Sequence, residues 1–305
     1  MNYGVVLPIW QLTIADAESL TTRAEQLGLD GVFVPDHILA KPATTQHYGG
    51  HWPDPFSLLA YLAGRTQRIR LGASVIVLPY RSALVAAKAA ATVDQASGGR
   101  FIFGVGVGWD EAEFVDLRLP FRERGRLSDD YIRAIKAAWA NDVPEYKGDY
   151  VSFGGATFSP RPRQRPHPPI WVGGAPGAVS APAVRRCAEL GDAWHPLGLS
   201  LDDIEKGFAT VRDLAARRGR RDALGLAPRN LLDLTESPKG SSRAAFQGSV
   251  AEVASDVRRV RTLGAEWMTF DLPRAGVPAM VRAMERLRRR GEAGRGVALD
   301  ARHGA

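Results

Sequence analysis

The sequence has a single cysteine, Cys187, among its 305 residues. One cysteine excludes an internal disulfide bond and any metal site built from several cysteines, and it favours a reducing compartment. No apolar run approaches the roughly 18 residues that a membrane-spanning helix needs. The first residues, MNYGVVLPIWQ, lack the basic start and the long apolar stretch of a signal peptide. We therefore expect a cytoplasmic protein with no membrane partner.

Several catalytic fingerprints are also missing. The first predicted strand–helix turn, LPIWQLT, contains none of the glycines of a dinucleotide-binding turn. The chain has neither a Gly-x-Ser-x-Gly nucleophile elbow nor the Gly-Lys-Ser/Thr of a Walker loop. It has no His-x-His pair, and the histidines of HYGGHW (47–52) lie in a predicted loop. We expect no metal site and no Ser-His-Asp hydrolase.

Acidic residues are outnumbered by basic ones, so the net charge is +7 and the pI is about 9.8. A nucleic-acid partner would call for a concentrated basic patch. The arginines are instead scattered, and the one dense run, residues 286–290, ends a predicted helix, where cations suit the helix dipole. We expect no nucleic-acid partner. The basic charge fits an anionic small ligand.

What the chain does have is a regular alternation of short β-branched runs and amphipathic stretches. The predicted strands are 3–7, 31–35, 69–77, 100–105, 169–172, 192–195, 224–232 and 267–272. The predicted helices are 14–27, 55–66, 83–96, 123–139, 180–190, 201–218, 249–263 and 277–290. Eight such units predict an α/β fold, a (β/α)₈ TIM barrel over residues 1–290. The polar segment 141–168 is an insertion before strand five, with a small hairpin near 150–153, and 291–305 is a disordered tail. A doubly wound sheet is the main alternative.

In a barrel, functional residues lie at the carboxyl ends of the strands. The stretch VFVPDHI places Asp36 and His37 there. Strand four ends in GVGVG (104–108), which either keeps a flat surface bare for a ligand or marks a bend. Strand five ends in GGAPG (173–177), whose amides before a helix suit an anion. These features predict a pocket for a planar, phosphorylated cofactor beside an imidazole, which suits flavin or deazaflavin chemistry.

Segments spanning nearly the whole predicted barrel resemble the luciferase-like flavin and deazaflavin oxidoreductases. They are AEQLGLDGVFVPDHI (24–38), residues 54–114 with TQRIRLG, VDQASGGR and GVGVGW, RERGRLSDDYIRAIKAAW (122–139), and PRPRQRPHPPIWVGGAP (160–176) leading into GDAWHPLG (191–198). The resemblance implies a (β/α)₈ barrel with a flavin-type cofactor across the strand ends. The motifs VPDHI, WVGGA and WHPLG look most like those of the branch that uses coenzyme F420. This cofactor is a 5-deazaflavin that moves hydride but does not activate oxygen.

The resemblance also implies roles for single residues. His37 lies beside the reacting face as an acid/base group, and Asp36 makes polar contact with the ring system. Ser74 and Val75 form a bulge behind the ring, often through a non-proline cis peptide. The remaining implied cofactor contacts are Gly106, Val107 and Gly108 along the ring and ribityl chain, and Gly173, Gly174 and Ala175 at the phosphate.

Trp109 is a departure from one part of the F420 branch. Sugar-phosphate dehydrogenases of that branch have a glutamate after the position of Gly108, so Trp109 argues against a sugar-phosphate substrate. We expect a small apolar or aromatic organic substrate, in a pocket formed with Trp10, Trp194 and His195.

Two alternatives within the family stay open. One is an FMN-dependent, oxygen-using monooxygenase that works with a separate flavin reductase. The other is a non-catalytic flavin-binding barrel, which intact Asp36 and His37 argue against. The family also suggests a homodimer through the second and third predicted helices.

Overall fold

The computed structural model describes residues 1–220 and 224–296. Its helices are α1 (Ile14–Gln26), α2 (Pro42–His47), α3 (Pro55–Arg65), α4 (Ala83–Ala96), α5 (Glu111–Asp116), α6 (Arg124–Ala140), α7 (Ala181–Leu190), α8 (Leu201–Arg217), α9 (Val250–Thr262) and α10 (Val277–Gly296). Its strands are β1 (Asn2–Val6), β2 (Gly31–Val34), β3 (Arg70–Ala73), β4 (Ile76–Val77), β5 (Phe101–Gly106), β6 (Tyr146–Lys147), β7 (Ser152–Phe153), β8 (Ile170–Gly173), β9 (Ala193–His195), β10 (Gly225–Leu226), β11 (Arg229–Leu231), β12 (Asp233–Leu234), β13 (Gln247–Gly248) and β14 (Trp267–Asp271).

One large parallel sheet organises the chain. Its strand order is β10-β9-β8-β5-β3-β2-β1-β14-β11, with β4 paired to β5. The two end strands, β10 and β11, are separated in sequence only by Ala227 and Pro228. On one side Ala227 N donates to Trp194 O of β9, and on the other Thr269 N of β14 donates to Pro228 O, each over 2.9 Å. The predicted α/β class is confirmed, and the parallel sheet is curled.

Aromatic rings fill the inside of the curled sheet. Phe33 of β2 stacks on Trp171 of β8 and meets the edge of Trp267 of β14, with ring centroids 5.2 and 5.8 Å apart. Glycines on the neighbouring strands make room for Phe33: a Cβ at Gly4 or Gly72 would lie 2.6 Å from its ring. Because these glycines lack a Cβ, a large ring can lie centrally and close the bottom of the interior.

Amphipathic helices cover the outside of the sheet. α1 begins at Thr13 with a capping box to Asp16, which satisfies amides that the helix start leaves free. The predicted range 83–96 of the alanine-rich helix coincides with α4. None of the helices in the described part of the chain is both long and apolar enough to cross a membrane.

The structure differs from the predicted elements in several places. The third predicted strand is interrupted between β3 and β4 and the seventh between β10 and β11. The short helices α2 and α5 lie where the sequence shows no clear helical period. β6 and β7 form an antiparallel hairpin that begins at Tyr146, before the range near 150–153 in which the sequence predicts the hairpin. α10 reaches Gly296, so it extends into the range expected as a disordered tail; residues 297–305 of that range lie outside the described residues.

Candidate active site

A cavity of about 450 Å³ opens at the carboxyl ends of the parallel strands. Residues that directly follow β2, β3, β5 and β8 line it, together with residues of the β2–α3 loop and the start of α6. This is the end of a parallel sheet at which strand-to-helix loops meet, and it is where the sequence predicts the site.

The cavity brings together twelve of the residues that the sequence predicts as site residues. They are Trp10, Asp36, His37, Ser74, Val75, Gly106, Val107, Gly108, Trp109, Gly173, Gly174 and Ala175. Residues from five separate stretches of the chain thus line one cavity.

Trp194 and His195 do not line this cavity. Successive side chains of a strand point to opposite faces, so in β9 the Trp194 ring points outward to α8, where a Cβ at Gly207 would lie 2.2 Å from it. The placement of Trp194 in the substrate pocket is therefore wrong. His195 points inward, but it is fully buried beneath the cavity, against Trp171 at 5.2 Å.

His195 contacts the cavity floor through a hydrogen bond with Ser74. Its Nδ1 lies 2.5 Å from Ala227 O, which can only accept, so Nδ1 carries the proton and Nε2 accepts from the Ser74 hydroxyl over 2.7 Å. Burial lowers the pKa of His195 to about 4. The ring is therefore a neutral acceptor that fixes Ser74.

Ser74 and Val75 form the floor of the cavity, and the peptide bond between them is cis, as the resemblance implies. Arg229 of β11 donates to Ser74 O over 2.6 Å and to Ser74 Oγ over 3.1 Å. The same guanidinium pairs with Asp271 over 2.6 Å. Arg229 also lines the cavity, so it brings a positive charge to the floor that the sequence does not predict.

The glycines of GVGVG serve the protein's own packing. A Cβ at Gly104 would lie 1.9 Å from Ala73 O, one at Gly106 2.5 Å from the Val75 side chain, and one at Gly108 2.8 Å from Phe114. The β3 backbone occupies the space that a side chain at residue 104 would need, the Val75 side chain does so at residue 106, and Phe114 and Val77 do so at residue 108. The glycines therefore make room for the protein's own packing, and Gly106 makes room for the bulge that forms the floor.

Asp36 is fully buried and accepts hydrogen bonds on both carboxylate oxygens. Arg81 donates to them over 2.6 and 3.0 Å, and Val77 N donates over 2.9 Å. Arg81 also reaches Asp54 over 3.0 Å at the start of α3. Burial raises the pKa of Asp36, and the Arg81 guanidinium opposes that rise. Asp36 therefore ties the β2 end to the floor, while its expected contact with a cofactor stays a prediction.

His37 is paired with a buried acid that the sequence analysis does not single out. Its Nδ1 lies 2.8 Å from Glu113 Oε2 of α5, and Glu113 has no exposed surface. Tyr80 also donates to Glu113 Oε2 over 2.6 Å. Burial opposes ionisation of Glu113, but the hydrogen bonds from His37, Tyr80 and two backbone amides outweigh it and lower its pKa. The spacing Asp110-x-x-Glu113 is typical of a helix start, but it does not indicate a partner for Glu113.

Aromatic rings form the wall around His37. Its ring lies 4.7 Å from Trp52 and 5.7 Å from Trp109. Trp52 in turn packs against Trp10 at 5.3 Å, and Tyr48 meets the edge of Trp10 at 4.9 Å. The sequence predicts Trp10 and Trp109 but not Tyr48 and Trp52, which come from the β2–α3 loop.

The other end of the cavity is basic. Arg122, Arg124 and Arg186 line it beside the loop 173–176 and Ser180, which caps α7. Arg186 is held by Asp129, whereas Arg122 is exposed. At Gly174 a Cβ would meet only Ala183, at 3.9 Å, so the backbone there borders open space. A flat floor with arginines and bare amides at one end fits a flavin-type cofactor with an anionic tail.

The sequence model of the luciferase-like monooxygenase family matches residues 1–234. An FMNH₂-dependent dimethylsulfone monooxygenase of Pseudomonas putida is 32% identical over 86% of this chain and 70% of its own length. An F420-dependent glucose-6-phosphate dehydrogenase of Amycolatopsis mediterranei is 36% identical over 53% of this chain and 48% of its own length.

A solved structure of similar shape is an F420-dependent secondary alcohol dehydrogenase in complex with an F420-acetone adduct. It superposes with a TM-score of 0.76 over 93% of this chain and 97% of the other, at 15% sequence identity. At that identity the likeness concerns the fold alone.

Proposed function

The chain belongs to the luciferase-like monooxygenase family, an enzyme family that acts through flavin-type cofactors, and from that premise we propose that it is an F420-dependent oxidoreductase. The curled sheet is, in this proposal, a (β/α)₈ barrel. The enzyme would transfer hydride between the deazaflavin and a small, apolar or aromatic organic substrate. The F420-dependent glucose-6-phosphate dehydrogenase among its relatives supports this branch.

The observation that carries the proposal is the position of His37 between the floor and the aromatic wall. Nδ1 is bonded to Glu113, and within the described residues Nε2 has no hydrogen-bond partner. Nε2 is therefore the nitrogen that the ring can offer to a ligand in the cavity. A hydride transfer at a carbon–oxygen centre needs such a group, because the oxygen must lose or gain a proton as the hydride leaves or arrives.

The bound F420 ring would supply the hydride chemistry. The residues that line the cavity would supply orientation and the proton. Ser74 and Val75 would support the ring from below, and Arg122, Arg124 and the amides of 173–175 would hold its anionic tail. His37 Nε2 would take a proton from a substrate hydroxyl, or return one to a carbonyl in the reverse direction.

The substrate class follows from the wall that faces His37. Trp10, Tyr48, Trp52 and Trp109 offer apolar ring surface there. Asp36 is the only carboxylate among the described residues that lines the cavity, and it is held by Arg81. An apolar or aromatic substrate would bury its surface against these rings. We therefore propose an apolar or aromatic alcohol or carbonyl compound.

A fluorescence titration of the purified protein with F420 and with FMN tests the cofactor assignment. The proposal expects saturable micromolar binding of F420. Micromolar binding of FMN with no response to F420 would overturn it.

The second candidate is an FMN-dependent, oxygen-using monooxygenase with a separate flavin reductase. The specific observation in its favour is the 32% identity to the dimethylsulfone monooxygenase, which extends over 86% of this chain. Oxygen consumption during turnover separates the two candidates, since a deazaflavin enzyme consumes none and a monooxygenase consumes one O₂ per product.

The expected homodimer remains a proposal as well. α3 and α4 expose large apolar side chains, namely Tyr61, Leu84 and Val85, at 43%, 37% and 60%. Light scattering on the protein and on Val85→Glu tests it: the dimer should weaken in the variant, and a wild-type monomer at micromolar concentration would refute it.

A further inference from the structure

Glu113 does not line the cavity, so it can act on a ligand only through another residue. Its carboxylate accepts four hydrogen bonds, two on each oxygen. Oε2 accepts from His37 Nδ1 over 2.8 Å and from the Tyr80 hydroxyl over 2.6 Å. Oε1 accepts from the backbone amides of Ile38 over 2.5 Å and of Leu39 over 2.9 Å. The two oxygens thus have different kinds of partner.

An ionised carboxylate can only accept, so the proton of a neutral His37 ring must be on Nδ1. Nε2 then presents its lone pair to the cavity. We propose that Glu113 is a positioning residue that fixes His37 in the Nδ1–H tautomer and so makes Nε2 a proton acceptor. The tautomer stands on the geometry alone; its catalytic consequence rests on the proposed function.

Other charged and titratable groups surround this pair without sharing its role. They are Asp36, which is paired with Arg81, Asp110, which accepts from Thr44, the pair Lys41–Asp116 at the end of α5, and Tyr48, whose ring lies 6.4 Å from that of His37. Among the described residues only Glu113 bonds to the His37 ring. The proton position of His37 is therefore set by one side chain.

The asymmetry of the two oxygens makes Glu113→Gln a sharp test. Two backbone amides face Oε1, and they cannot turn into acceptors, so the glutamine oxygen should stay with them. The glutamine NH₂ would then face His37 and Tyr80 and donate to Nδ1. His37 would have to carry its proton on Nε2, which turns the acceptor in the cavity into a donor.

Long-range ¹⁵N–¹H NMR of the protein labelled in its six histidines reads the tautomer directly, with His37→Gln to assign the signal. At a pH where the ring is neutral, we expect Nδ1–H in the wild type and Nε2–H in Glu113→Gln. Tyr80→Phe is the matched control: it removes the other donor to Oε2 but keeps the carboxylate, so Nδ1–H should persist.

A wild-type ring in the Nε2–H form, or a Glu113→Gln ring that keeps Nδ1–H, would overturn the proposal. Should Glu113→Gln not fold, the wild-type spectrum alone still decides. Where a substrate is in hand, Glu113→Gln should cut kcat by about 10²–10⁴ with KM changed less than about tenfold. The expected tautomers together with an absence of F420 binding would refute the proposed function and leave the positioning role intact.

Discussion

The Val75 side chain occupies the space that a Cβ at residue 106 would need, since such a Cβ would lie 2.5 Å from Val75 Cγ2. We predict that Gly106→Ala forces Val75 toward the cavity. Overpacking of this kind costs about 1–3 kcal/mol of unfolding free energy, and the displaced floor should weaken cofactor binding at least about tenfold. Urea unfolding and a cofactor titration measure the two effects. Gly50→Ala is the control, because a Cβ there meets nothing within 4 Å; equal behaviour of both variants would contradict the prediction.

His37→Ala should separate binding from chemistry. In the proposed mechanism His37 handles a proton and does not hold the cofactor, so we expect turnover to fall by about 10²–10⁴ while cofactor affinity stays within about tenfold. His51→Ala is the control, since His51 is exposed and does not line the cavity. Unchanged turnover in His37→Ala would reduce that residue to a structural role.

The residues that the sequence predicts well are those whose position follows from the strand order alone. Asp36, His37, Ser74 and Gly174 lie within three residues after the end of a strand, so counting strands places them at the cavity. Trp194 shows the limit of strand order: it lies near a strand end, but side chains alternate along β9 and its ring points away from the cavity toward α8. The order of elements fixes which end of the sheet a residue reaches, and side-chain alternation decides whether it faces the cavity.

The partners of the predicted residues could not be found in the same way. Glu113 lies 76 residues from His37 along the chain, and Arg229 lies 155 residues from Ser74. Such pairs form only when distant elements pack, and local sequence patterns carry no information about them. Tyr48 and Trp52 belong to a loop without periodicity, so no pattern indicated that its rings fold over the site.

Removing Arg81 should lower the unfolding free energy, because the buried carboxylate of Asp36 loses its charged partner. In Arg81→Leu, Asp36 keeps only its bond from Val77 N, and a buried charge without its partner costs about 3–5 kcal/mol. Burial already raises the pKa of Asp36, so the folded state binds this proton more tightly than the unfolded one. The loss of unfolding free energy in Arg81→Leu should therefore be greatest at neutral pH and shrink as the pH falls through the pKa of Asp36.

Urea unfolding at pH 8 and pH 5 measures this deficit. The matched control is Arg126→Leu, which removes an ion pair to Asp149 whose side chains are 71% and 74% exposed; it should cost less than about 1 kcal/mol at either pH. A cost for Arg81→Leu as small as that of the control would contradict the prediction.

His195 should make the fold sensitive to mild acid. Burial lowers its pKa to about 4 from an ordinary value of 6.5. Between these two pH values the unfolded chain binds a proton at this residue and the folded protein does not. The unfolding free energy therefore has its full value above pH 6.5. It falls by about 3 kcal/mol as the pH drops toward 4. His195→Gln should flatten this part of the stability profile, whereas the exposed His51→Gln should not. An unchanged slope in His195→Gln would show that other groups cause it.

The most direct test of the cofactor assignment is the identity of the molecule that co-purifies with the protein from a host that makes both F420 and FMN. Absorbance and mass spectrometry of the released cofactor identify it. The account predicts F420 bound in stoichiometric amounts with little FMN. Stoichiometric FMN without F420 would contradict it and would favour the oxygen-using monooxygenase.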